Sequence, residues 1–450
     1  MKLRFRYSCI LGLALLASTP AQAGMPISEA LRRAVDVDRE FAAAAATRRA
    51  EREAGIQEST DLRPSLSARA GGRYTRADSE LPFGAQTGEF PAWSASLEAR
   101  QALLRFDWFS KLARGTAKEQ LAEVHYRNQE IAFIARVTQR YLETMLAEDQ
   151  VEQIQAEAEA VRQSLEDTRL RYEVELVPGV DLKEAQARDD LVQAQKIAHI
   201  NQLEAARDAL QEVTGYDRGD LPSLKNEIQL PPLEPTHVDD WVEIGMRRNT
   251  DVLEARLLAV IAESEVDSKR AQGRPRLDLV ASTGRSDSSE YELGSRQDES
   301  QIGLELEVPL YGGGRLRSQV RQAQARAEEA RIRVQRVEAQ SERQLRLAFR
   351  DVQAALAADR AYVQVLRSAQ AAAKAVDAGY TAGTRTIADV LDAKSSVVNA
   401  KRDRNEVRYN LLTKLLGLLL VAGTLSVDDI LELDYLFDHS STNSTAQTTP

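Results

Sequence analysis

The chain has one cysteine in 450 residues, Cys9, and it lies in a segment that reads as removable. The mature protein therefore has no disulfide, no thiol nucleophile and no cysteine metal ligand. Histidine is nearly as scarce: His125, His199, His237 and His439 stand far apart. There is no nucleophile elbow, and Gly312-Gly313-Gly314-Arg315 lacks the Gly-Lys-Ser/Thr of a phosphate loop. From this inventory no catalysis, no cofactor and no dedicated metal site are expected. A surplus of positive charge is missing as well. The net charge is −10 and the pI about 5.3, which argues against a nucleic-acid partner. Beyond the N-terminus no apolar run reaches the ~20 residues that a spanning helix needs.

The N-terminus itself reads as an export signal over residues 1–23. Lys2, Arg4 and Arg6 precede a short apolar run from Cys9 to Ser18, and Ala21-Gln22-Ala23 offers a small-x-small cleavage site before Gly24. An exported chain without disulfides must be held together by packing or by assembly.

Proline and glycine are absent over long distances. No proline lies between Pro91 and Pro178, or between Pro309 and Pro450. Gly115 is the lone glycine of the first interval, and Gly379, Gly383, Gly417 and Gly423 are the only ones after Gly314. Ala, Gln, Glu, Arg, Leu and Val fill the gaps, and most are good helix formers. Unbroken helices from Trp108 to Glu175 and from Leu316 to Ala378 would each run about 100 Å at ~1.5 Å per residue. The second carries apolar residues at 3-4-3-4 spacing: Leu345, Ala348, Val352 and Ala355, then Tyr362, Leu366, Ala369, Ala373, Val376 and Tyr380. Asp359 alone breaks that seam. The first carries a similar stripe through Val137, Ala147, Val151, Ile154, Ala158, Val161, Leu165 and Tyr172. Such Ala-rich seams allow close coiled-coil packing, and an ordinary coiled-coil rod or periplasmic scaffold would show them too.

The two stripes are related by an internal repeat with an offset of about 208 residues. Arg63-Pro64-Ser65-Leu66 matches Arg274-Pro275-Arg276-Leu277. Tyr141-Leu142-Glu143 matches Phe349-Arg350-Asp351, Tyr172 matches Tyr380, and Asp181 to Ala185 matches Asp389 to Ala393. Each half reads helix, two strands, long helix, turn, helix. The expected strands alternate: Ile302, Leu304, Leu306 and Val308 oppose Gly303, Glu305 and Glu307, while Leu66, Ala68 and Ala70 oppose Ser65, Ser67 and Arg69. Segments of roughly ten residues with one apolar and one charged face suit a membrane barrel wall, or a soluble amphipathic hairpin. Four strands cannot close a barrel, and an open edge in lipid leaves backbone groups unsatisfied, so strands in a membrane require several chains.

Two further blocks are specific. Val308-Pro309-Leu310-Tyr311-Gly312-Gly313-Gly314 ends a strand, and Ala378-Gly379-Tyr380-Thr381-Ala382-Gly383-Thr384-Arg385-Thr386-Ile387-Ala388-Asp389-Val390-Leu391-Asp392-Ala393 spans a helix–turn–helix. With Arg408-Tyr409-Asn410-Leu411-Leu412 and Ala422-Gly423-Thr424-Leu425, they resemble the TolC-like outer-membrane efflux proteins of Gram-negative bacteria, over residues 25–435 and in both halves. The resemblance implies an α+β membrane protein and a homotrimer. Four strands per chain would close a twelve-stranded outer-membrane β-barrel, continued by a long periplasmic α-helical coiled-coil barrel. The division it suggests is a first structural repeat at 24–214, an equatorial linker at 215–237, a second repeat at 238–424, an equatorial segment at 425–438 and a polar tail at 439–450. The implied function is an exit duct for drug efflux or type I protein secretion, gated at its periplasmic end. The implied partners are a periplasmic membrane-fusion adaptor, an inner-membrane transporter of the RND, MFS or ABC type, and outer-membrane lipid.

Within the second block, Thr386 is a good N-cap with Asp389 at N3, a capping-box pattern. Asp392 lies one turn further on the same face. Around a three-fold axis Asp389 and Asp392 would become stacked anionic rings, an electrostatic filter for cations and a self-repelling gate. The family reading places the same rings at the closed entrance. It makes Tyr380 and Arg385 a latch with Asp181 as acceptor, and puts Glu175, Leu176, Val177, Gly383 and Thr384 at adaptor-docking tips. Two positions depart from the family pattern. Glu175 replaces a family glycine, with Pro178-Gly179 offering a turn pair nearby. Glu184 stands where the repeat has Asp392, as a further candidate charge at the entrance.

Overall fold

The computed structural model describes residues 25–60, 63–81, 84–216, 221–225, 233–288 and 295–438. The expected export signal and the polar tail lie outside the described residues. The chain begins with α1 (Ile27–Val37) and α2 (Arg39–Thr60), then an antiparallel hairpin of β1 (Ser65–Leu81) and β2 (Gly84–Leu104). Next come α3 (Trp108–Glu173), α4 (Gly179–Thr214) and the short β3 (Ser223–Leu224). The same order follows again in α5 (Val238–Arg248), α6 (Thr250–Ala271), β4 (Arg276–Ser288), β5 (Ser295–Glu307), α7 (Arg315–Thr381) and α8 (Ile387–Ala422). The chain closes with α9 (Val427–Glu432) and β6 (Phe437–Asp438).

The lengths match across the two halves. α3 has 66 residues and α7 has 67, while α4 and α8 have 36 each. Each long helix therefore spans about 100 Å. No isolated helix of that length is stable on propensity alone, so each needs packing along its whole run. α3 packs on α2 and α6 in its N-terminal part and on α4 and α8 further along, and α7 packs on α6 and then α8. Sequence chemistry sets the joints. Asp38 Oδ1 accepts from the Phe41 amide between α1 and α2, at 2.9 Å, and the Asn249 side chain accepts from the Val252 amide between α5 and α6, at 3.1 Å. Gly55 of α2 and Gly115 of α3 let their helices touch backbone to backbone. A Cβ on either would lie 2.8 Å from the other's carbonyl oxygen.

The four long strands form one antiparallel sheet in the order β1-β2-β4-β5. Register pairs apolar with apolar: Leu66 faces Ala99, Ala68 faces Leu97, Leu279 faces Leu304 and Leu277 faces Leu306. On the opposite face stand Arg69, Glu98, Arg100, Asp278, Glu305 and Glu307. The strands are 17, 21, 13 and 13 residues long, longer than the ten or so expected from alternation. In the first hairpin the extra length runs from Tyr74 opposite Pro91 out to Leu81 opposite Gly84. It carries no apolar alternation and is held by the backbone ladder and by Tyr74 and Arg76 on the Glu89 carboxylate. Pattern reading cannot see a strand of that kind.

The core sits at mid-height. One cluster joins Ile27, Leu31, Ile134, Tyr141, Leu412, Ile430 and Phe437, with the Tyr141 hydroxyl donating to the Met25 carbonyl at 2.7 Å. A second joins Trp241, Leu345, Phe349, Leu411 and Leu418. Tyr141 and Phe349, matched by the sequence repeat, thus anchor separate clusters. β3 and β6 pair beside the first cluster, so the linker and C-terminal segments expected at the equator meet there. No helix among the described residues is long and apolar enough to cross a membrane.

Candidate channel entrance

The hairpins α3–α4 and α7–α8 end in two turns with the same backbone bonds. In the first, the Glu175 amide donates to Tyr172 O at 3.0 Å and the Leu176 amide to Arg171 O at 2.8 Å. In the second, the Gly383 amide donates to Tyr380 O at 3.0 Å and the Thr384 amide to Gly379 O at 2.9 Å. Both are helix C-caps that require one left-handed residue. Gly383 supplies it with φ 72°, and in the first turn Glu175 takes it with φ 59°. Pro178-Gly179 does not substitute for the missing glycine. Pro178 is the N-cap of α4 in extended conformation, and Gly179 is its first helical residue. Glu175 is the only non-glycine residue with positive φ among the described residues, at a cost of about 1 kcal/mol.

The following helices start differently. Thr386 Oγ1 accepts from the Asp389 amide at 3.2 Å, and Asp389 Oδ2 accepts from the Thr386 amide at 2.9 Å, a complete capping box. Bonds from the Thr386 amide and hydroxyl hold the Asp389 carboxyl below the usual carboxylate range. Asp389 is half-buried and Asp392 exposed one turn on. Asp181 sits in the first turn of α4 with no such box, and Glu184 is exposed beyond it. Glu175, Leu176, Gly383 and Thr384 are exposed at the tips, and Val177 is half-buried.

Within the chain, Tyr380 and Arg385 have different neighbours. The Tyr380 hydroxyl accepts from Arg171 Nη1 at 2.7 Å, and the guanidinium carbon lies 5.7 Å from its ring centroid. Arg385 lies near Asp389, and among the described residues it makes no ion pair with Asp181 of the same chain. Arg171 was not legible in the sequence, because its repeat counterpart is Gly379. Two more polar links join the coils. Arg188 of α4 bonds Glu157 of α3 at 3.1 Å and the Ser395 hydroxyl of α8. Tyr409 of α8 donates to Asp149 of α3 at 2.9 Å. Burial pushes the Asp149 carboxyl up to about 6, and the Tyr409 bond opposes that shift. Asp359, which breaks the heptad seam, adds its charge beside the buried Arg408. No cluster of three or more metal-binding side chains occurs among the described residues.

The pattern of a family described as outer membrane efflux protein matches residues 27–216 and 243–424, one stretch in each half. Outer membrane protein TolC of Escherichia coli (strain K12) is 31% identical over 354 residues, 76% of this chain and 72% of that protein. Alkaline protease secretion protein AprF of Pseudomonas aeruginosa is 29% identical over 345 residues, 76% of this chain and 72% of its own. Among solved structures, the outer membrane protein VceC of Vibrio cholerae superposes with a TM-score of 0.75 at 19% identity, covering 88% of this chain and 96% of that one. The last likeness concerns the fold alone.

Proposed function

The chain belongs to the outer membrane efflux protein family, and from that premise we propose that three copies form a gated exit duct. The observation that carries this reading is the open sheet. It has four strands, two free edges at β1 and β5, and one apolar face turned to solvent. Ile302 is 75% exposed, Leu304 66% and Leu306 63%, on adjacent positions of one face. Such a face needs lipid, and the free edges need partners. Three sheets placed edge to edge make a twelve-stranded barrel with Arg69, Glu98, Arg100, Asp278 and Glu305 inward, while the Arg285–Asp298 and Asp287–Arg296 pairs on the outer face fall beside Trp93 at the membrane interface. Tyr74 and Trp93 on one side, and Phe106, Phe109 and Tyr311 on the other, then mark the two membrane interfaces. Phe106 to Trp93 spans about 30 Å for strands tilted ~45°, close to a bilayer core.

Below the barrel, the α3–α4 and α7–α8 hairpins would extend into the periplasm. Six tips would stand at one level, the docking face for an adaptor that links the duct to an inner-membrane transporter. Asp389 and Asp392 would form the entrance rings, with Glu184 a further charge. Asp389 serves two roles: one oxygen caps α8, and its negative charge faces the axis. Arg171 with Tyr380 would hold the two coils of one chain together. Arg385 would reach Asp181 of a neighbouring copy. Exposed charge-assisted bonds are individually weak, which suits contacts that must release on opening. The duct serves drug efflux or type I secretion, and the likeness to an alkaline protease secretion protein favours a polypeptide substrate.

Planar-bilayer recording of the purified full-length chain tests the reading. A cation-selective pore blocked by divalent cations is expected. A monomer that gives no pore in the bilayer would sink it.

A further inference from the structure

The protein is acidic overall, yet the stretch just below the sheet is not. Residues 315–326 of α7 contain four Arg and neither Asp nor Glu. Arg315, Arg317, Arg321 and Arg326 are all exposed, and none forms an ion pair among the described residues. Helix geometry divides them. Ala323 and Ala327 are buried against Val266 of α6. At ~100° per residue, Arg315 and Arg326 fall on one flank of that buried face, and Arg317 and Arg321 on the other. In a single-walled ring of helices, one flank of α7 faces the lumen and one faces outward.

The cavities identify which. Glu58 lines the cavity beneath the charged face of the sheet, together with Ser65 and Arg100, and also the cavity beside Arg326. Arg326 thus lies on the lumen side, and Arg317 and Arg321 lie outside. They sit within three turns of Leu310 and Tyr311, which are 91% and 90% exposed, and the neighbouring Leu316 lies against Gly273, next to Arg274, whose guanidinium is 5.2 Å from the Phe106 ring centroid. An exposed apolar step followed at once by unpaired guanidinium groups has the order of a lipid leaflet: acyl chain, then phosphate. Headgroups occupy the ~5–8 Å outside the hydrocarbon core, which the first two turns of α7 cover.

We propose that Arg317 and Arg321 of each chain bind the phosphodiesters of anionic phospholipids in the periplasmic leaflet. The guanidinium fork matches two phosphate oxygens, and nearby apolar contacts hold the acyl chains. The proposal rests on the barrel reading above. Its effect would be to fix the depth of the duct, so that the tips meet the inner-membrane apparatus at constant height.

The full-length chain is inserted into mixed phosphatidylethanolamine and phosphatidylglycerol vesicles and extracted in mild detergent. The retained lipids are then quantified by mass spectrometry at low and high salt. Phosphatidylglycerol is expected to be enriched over the bulk vesicle, less so at high salt. Arg317→Gln with Arg321→Gln should lower that enrichment by about fivefold or more, from the worth of one juxtamembrane cation. Arg315→Gln with Arg326→Gln should leave it unchanged, and controls for folding. Enrichment equal in the Arg317/Arg321 variant and the wild type, or absent from the wild type, overturns the proposal. A chain that inserts into neither vesicle overturns the barrel reading and the proposal with it.

Discussion

The turn after α3 and the turn after α7 reach the same backbone by opposite chemistry. Gly383 takes the left-handed position freely, and Thr386 and Asp389 cap the next helix. In the first turn Glu175 takes it under strain, and Pro178 offers α4 no side-chain cap. The apolar residues divide in the same way. Leu170, Val174, Leu176 and Val180 are exposed at the first tip, whereas the second presents Thr381, Gly383, Thr384 and Arg385. The two halves of the chain thus share a turn geometry while presenting different surfaces. One is a polar, tightly capped turn, and the other a strained turn with an apolar surface.

The largest expected effect tests how far geometry is shared at the other end of these hairpins. Gly215 ends α4 with φ 63°, and Gly423 ends α8 with φ 69°. A Cβ at Gly423 would lie 2.4 Å from the Arg248 carbonyl oxygen, but at Gly215 it would meet only a Val37 methyl at 3.0 Å. Gly423→Ala should cost more than about 3 kcal/mol and Gly215→Ala about 1 kcal/mol. Thermal melts of the two variants check this, and equal losses would contradict it.

The next effect concerns a link present in one half only. Asp149 and Tyr409 have Ala357 and Asn201 as repeat counterparts. The folded carboxyl titrates at about 6 against 3.8 in the free state. The folded protein thus binds the extra proton, and stability should fall as pH rises from about 4 to 6 and level off above. Asp149→Asn should flatten that slope, by up to a few kcal/mol across the window. Denaturation curves over this range would show an unchanged slope if the link were irrelevant.

Asp389→Ala with Asp392→Ala should weaken divalent-cation block of single channels about tenfold or more, whereas Glu184→Gln should change it less, since Glu184 is proposed only as a further charge beside the two rings. Block that persists in the double variant would remove the rings. Arg171→Ala should raise conductance or open probability modestly, and Tyr380→Phe should match it, because both break one bond worth about 1 kcal/mol. The smallest effect is Glu175→Gly. Relieving the left-handed glutamate should stabilise the first tip by up to about 1 kcal/mol in hydrogen-exchange protection.

The long helices, the doubled plan and the apolar face of the sheet were legible because periodicity and missing breakers depend on local chemistry alone. The capping box was legible because Thr386 and Asp389 stand three apart. The outer part of the first hairpin was not, since backbone ladder bonds and the Tyr74 and Arg76 contacts with Glu89 hold it without an apolar alternation. Arg171, Arg188 and Asp149 were missed for another reason. Their partners Tyr380, Ser395 and Tyr409 lie more than 200 residues away. Only the crossing of the two coils brings them together, and the repeat misleads by pairing Arg171 with Gly379.

The near-equal lengths of α3 and α7 limit how this chain can change. One residue inserted into α3 alone would lower its tip by ~1.5 Å and rotate its seam by ~100°. The first tip would then leave the plane of the second, and every coiled-coil contact below the insertion would turn away. Drift in length should therefore be accepted only where no helix is measured out, in the strand tips and the linkers. The two long helices act as a matched pair of rulers, and each half of the chain keeps the other from changing size.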